Sequence, residues 1–105
     1  MSDKYILRGK DAVPCDDLLE WGRWFETADR KVALDYIGTV RVSTVFIGLN
    51  HNFLDDGPPH IFETMVFGGE MEGECARYST WEEAESGHRA LVTRVEEAEH
   101  VEKTT

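Results

Sequence analysis

With 105 residues, 41% of them hydrophobic and 10% aromatic, the chain suits one folded domain and excludes both a disordered chain and a two-core architecture. Its net charge of −10 is unevenly spread: residues 1–52 carry seven Lys/Arg against eight Asp/Glu, and residues 53–105 carry four against thirteen. So acidic a second half repels phosphate backbones and anionic lipid, which argues against direct nucleic-acid or membrane binding. It favours a protein partner that is basic or itself binds nucleic acid, unless the acid serves solubility alone.

The N-terminal stretch MSDKYILRGKDAVP lacks the apolar core of a signal peptide, and no apolar run approaches the ~20 residues of a membrane span. The expected location is the cytoplasm, with Cys15 and Cys75 as two free thiols, since neither belongs to a CxxC pair.

In chain order, Tyr5-Ile6-Leu7 predicts a first strand, ended by Gly9 and Lys10-Asp11. After Pro14, Asp16 or Asp17 offers an N-cap for a helix whose apolar stripe runs Leu18, Trp21, Phe25 and Ala28. Residues 32–37 and 40–49 then read as a hairpin closed by Gly38-Thr39, a Gly-first pair suited to a type II′ turn. In the second of these strands Val40, Val42, Thr44 and Phe46 share one face, and the apolar character of its far end predicts a central strand. The stretch NHNFLDDGPPH, residues 50–60, is an irregular loop, and Ile61–Phe67 returns as a strand that Gly68-Gly69 terminates. Thr80 (or Ser79) opens a second helix, with Glu83 as the third residue of a capping box. That helix carries the stripe Trp81, Ala84, His88, Leu91, Val95, and its tail is expected to fray from about residue 100. The order β-α-β-β-β-α predicts one α+β domain over residues 1–105: a small antiparallel sheet of about four strands, with two helices on one face.

Candidate chemistry is sparse. His51, Glu63 and His88 are the residues best suited to a metal site or an acid/base pair, although their spacings match no HExxH-type signature. Simple hairpin pairing sets Ile47 against Glu63 and Leu49 against Ile61, which puts Glu63 among apolar neighbours. The alternative is a structural hydrogen bond from a packed His88 to a group such as Glu63. Gly87, beside His88, would let another chain segment approach the helix. In the 50–60 loop, Asn50, His51, Asn52, Asp55 and Asp56 form a candidate binding cluster without the spacing of a calcium loop. No cofactor is predicted, a divalent metal being the alternative. Trp21 or Trp24, or a free sheet edge, could serve a homodimer.

The segments VSTVFIGLNHNF, IFETMVFGG and RYSTWEEAESGH, within residues 32–90, resemble a group of small uncharacterised proteins of bacteriophages and bacterial, prophage-type loci. The resemblance implies a small cytoplasmic protein made inside a bacterial host. It carries no activity, cofactor or site residue. The expectation is therefore a non-enzymatic accessory or host-interaction protein, with a small metal-binding or acid/base enzyme as the alternative.

Overall fold

Alternation along residues 40–46 decides the architecture: Val40, Val42, Thr44 and Phe46 are all buried, while Arg41 is exposed and Ser43 and Val45 are half-buried. The computed structural model describes residues 3–52 and 57–104, with side chains described as far as Glu99. Its elements are β1 (Tyr5–Arg8), β2 (Asp11–Pro14), α1 (Leu18–Thr27), β3 (Lys31–Ile37), β4 (Val40–Phe46), β5 (Phe62–Phe67), β6 (Cys75–Tyr78) and α2 (Trp81–Thr104). Strands β3-β4-β5-β6 form an antiparallel sheet in sequence order, and β1-β2 form a separate antiparallel hairpin. The fold class is α+β, as expected. No helix among the described residues is long and apolar enough to cross a membrane.

Two strands escape the sequence reading. β2 is only the four residues DAVP, and its closing Pro14 looks like punctuation, yet Pro is tolerated at the end of an edge strand. β6, CARY, sits between an acidic Gly-containing loop and a helix cap, and it pairs with β5 through Met65↔Cys75 to Phe62↔Tyr78. Short segments of this kind become strands because a partner strand satisfies their backbone, not through local propensity.

The hairpin register also differs from the expectation. Val45 stands opposite Glu63, and Phe46 opposite Phe62. The shift of two residues keeps every side chain on its expected face, because the side-chain period of a strand is two. It moves Glu63 away from Ile47.

The two helices are held differently. α2 lies over the four-stranded sheet and places Ala84, His88, Leu91 and Val95 against it, all buried. α1 buries no residue completely, and Leu18 and Leu19, the first of its predicted stripe and its neighbour, are 65% and 70% exposed. It rests on β1, with the Trp21 indole N–H donating to the Tyr5 carbonyl at 3.1 Å. It meets the sheet at the end of β4, where Trp24 packs edge-on against Phe46 at 5.6 Å between ring centroids. Gly48 makes that approach possible: at φ +74°, any Cβ there would strike the Phe25 ring.

Both helix starts are capped as their sequences predict. The Asp17 carboxylate accepts from the backbone N–H groups of Leu19 and Glu20 at 3.0 and 3.1 Å. At α2, Thr80 Oγ1 accepts from Glu83 N while Glu83 Oε1 accepts from Thr80 N, and from Ser79 N as well.

The core falls into two apolar clusters. One joins Val40, Val42 and Val66 to Leu91 and Val95; the other joins Phe46, Ile61 and Phe62 to Ala84. Each of these fully buried side chains contributes about 1.5–3 kcal/mol if it is Val, Leu, Ile or Phe. Between the clusters lies a layer of polar side chains.

Candidate functional site

That polar layer is built by periodicity. Thr44 falls between Val42 and Phe46 on β4, Thr64 between Phe62 and Val66 on β5, and His88 one turn from both Ala84 and Leu91 on α2. Thr44 and Thr64 are directly opposite in the sheet. Both are 0% exposed and His88 is 2% exposed. Thr44 Oγ1 bonds to Thr64 Oγ1 on one side and to His88 Nδ1, at 2.7 Å, on the other. His88 Nε2 reaches Asp35 Oδ2 at 2.7 Å, and Asp35 opens the row to water at the β3 edge, its side chain 56% exposed.

With a neutral imidazole, every donor in this row has an acceptor. When its proton is on Nε2, Thr64 donates to Thr44, Thr44 to His88 Nδ1, and His88 Nε2–H to the Asp35 carboxylate. With an imidazolium, Nδ1–H donates to Thr44 and the two hydroxyls turn the other way. Either arrangement leaves no ring nitrogen unpaired, which is what a buried histidine needs.

The order carboxylate, imidazole, hydroxyl is also that of a nucleophilic triad. Here the hydroxyl belongs to Thr44, which no solvent reaches. A nucleophile must meet its substrate, so Thr44 cannot serve as one.

The residues that the sequence singled out do not assemble. Glu63 and His88 lie on opposite faces of the sheet: Thr64 and Phe62 point to α2, so Glu63 between them points away, where it takes Arg77 Nε at 2.9 Å. The partner of the buried histidine is therefore Asp35, not Glu63. His51 lies in the loop beyond β4, where its backbone N–H donates to the His60 carbonyl at 2.9 Å. Among the described residues no three His, Cys, Asp or Glu side chains are grouped to hold a metal ion.

Asn50 and Asn52 brace the loop they occupy. Asn50 Oδ1 accepts from Asn52 N and His60 N, and Asn52 Nδ2 donates to the Pro58 carbonyl. Asp55 and Asp56, the acidic members of that candidate cluster, lie outside the described residues.

Two open cavities flank the start of α2. One, of about 460 Å³, is lined by Pro58, His60, Arg77, Tyr78, Glu83 and Ser86 among others; the second, of about 440 Å³, lies between the β1-β2 hairpin and Trp81. Neither touches the Asp35–His88–Thr44 row. Gly87 has its explanation beside the first: the Tyr78 ring lies so close against it that a Cβ would overlap the ring.

The remaining feature is the face of the sheet that α2 leaves open. Register places Tyr36, Arg41 and Phe67 in one row across β3, β4 and β5, and Leu34, Ser43, Met65 and Cys75 in the next. Tyr36 is 64% exposed, Phe67 39% and Leu34 38%. The Arg41 guanidinium stacks on the Phe67 ring, 4.2 Å from its centroid.

No family model, curated protein or solved structure matches this chain.

Proposed function

We propose that this chain is a non-enzymatic interaction protein whose working surface is the open face of its four-stranded sheet. One observation carries the reading: a central sheet covered by a helix on one face presents Tyr36, Phe67 and Leu34 to solvent on the other. Contiguous exposed apolar side chains on a small domain mark an interaction site. The Asp35–His88–Thr44 row supports the same reading, because its hydrogen bonds account for the buried histidine without chemistry. The resemblance of three of its segments to small phage and prophage-type proteins supports a role as an accessory or host-modulating factor, acting in the cytoplasm of a bacterial host.

Affinity capture from bacterial lysate tests this. Wild-type chain is expected to retain a partner that Phe67→Ser, with unchanged thermal stability, releases. Identical capture by the two chains would remove the open face from the account.

A further inference from the structure

The open face has a charge opposite to that of the molecule. Among its described strand residues it carries Lys31, Arg41 and Arg77 against Glu63, an excess of two positive charges in a chain of net charge −10. Glu63 is already bound to Arg77. The Arg41 side chain makes no ion pair or hydrogen bond with a described residue, and its guanidinium stacks on Phe67. Stacking occupies one side of the guanidinium and leaves its N–H fork to bind a carboxylate through two parallel bonds.

Building on the proposed role of this face, we infer that its occupant is a protein segment with an apolar ridge and carboxylates beside it. One carboxylate binds Arg41, and the ridge lies along Leu34, Tyr36 and Met65. Charge complementarity selects this occupant over two others. A second copy docking face to face would set like charges against each other. The patch is also small: four strands spaced ~4.8 Å and about six residues long give roughly 300 Å² of footprint, below the ~800 Å² per partner of a stable interface. A nucleic acid could stack bases on Tyr36 and Phe67, but it would bring one phosphate charge per nucleotide into the field of an acidic chain. A segment with a few carboxylates on an apolar ridge meets far less repulsion.

The test is an NMR titration of the isotope-labelled chain with two synthetic ten-residue peptides. Both have the same Leu/Phe ridge; one carries Glu at its remaining positions and the other Lys. The Glu peptide is expected to shift the amides of Tyr36, Arg41 and Phe67 with a Kd at least tenfold lower than that of the Lys peptide. Arg41→Glu is expected to abolish or reverse that preference, and Arg41→Gln to weaken it. Equal binding of the two peptides, tighter binding of a ten-nucleotide single strand, shifts that map elsewhere, or concentration-dependent self-association through these residues would each overturn the inference. If lysate capture still depends on Phe67 in that case, the interaction surface stands and only the chemistry of its partner falls.

Discussion

His88 is the residue at which sequence and structure say most to each other. A histidine within an apolar helical stripe has to find partners for two nitrogens, and this one finds Thr44 and Asp35. The row assigns unequal costs to its members. Thr44 sits in the middle, so Thr44→Val leaves both His88 Nδ1 and the Thr64 hydroxyl without a partner and should cost about 1–3 kcal/mol. Thr64 sits at the end, so Thr64→Val should cost less than about 1 kcal/mol. Denaturant unfolding of the two variants measures the difference, and equal costs would mean that the hydroxyls do not act as a chain. Asp35 is more than half solvated, so its pair with His88 orients the ring more than it stabilises the fold. Of this row, His88 alone was legible as a candidate, and its inward position followed from the spacing of Ala84 and Leu91. The other three were present as a quieter signal: Asp35, Thr44 and Thr64 are each the one polar residue in phase with an apolar strand face. A polar interruption on three neighbouring strands and on the helix above them marks a shared layer, but only the true register shows that the four line up.

At the scale of elements, the packing of α2 on β6 turns on Gly87. Glycine inside a helix costs up to about 1 kcal/mol relative to alanine, so Gly87→Ala would stabilise an isolated helix. In the folded chain the added methyl meets the Tyr78 ring, and the helix must shift away from the sheet. The expected outcome is a net loss of about 1–3 kcal/mol in thermal or denaturant unfolding, as for other overpacked sites, and that loss should shrink when Tyr78→Ala is made as well. A stabilised Gly87→Ala variant would show that ring and helix do not meet. The need for a close approach at Gly87 could be read from sequence; the identity of the approaching residue could not, because Tyr78 lies on β6, a strand too short and too weakly patterned to recognise. The same limit explains the hairpin register. Alternation decides which face a residue occupies, and it is blind to a slip of two. The helix caps needed no such knowledge, since Asp17 and the Thr80–Glu83 box act on backbone only a few residues away.

In the whole molecule, one face of the sheet is left uncovered. The two apolar clusters and the polar layer between them all lie on the α2 side of the sheet. The opposite side combines exposed aromatic and aliphatic side chains with an arginine that stacks on Phe67 and pairs with no carboxylate among the described residues. Overall composition hid this, because a net charge of −10 directs attention to acidic surfaces while the cations of Lys31, Arg41 and Arg77 converge on one face only after folding. The two cysteines report on that face without any substitution: Cys75 is exposed on it and Cys15 is buried. In the free chain, a small alkylating reagent should therefore modify Cys75 rapidly and Cys15 only on unfolding. The most direct test of the account is the rate of Cys75 alkylation with and without the partner captured from lysate. A partner seated on the open face is expected to slow that rate at least tenfold while Cys15 stays protected in both states; an unchanged rate at Cys75 with the partner bound would place the interaction elsewhere on the molecule.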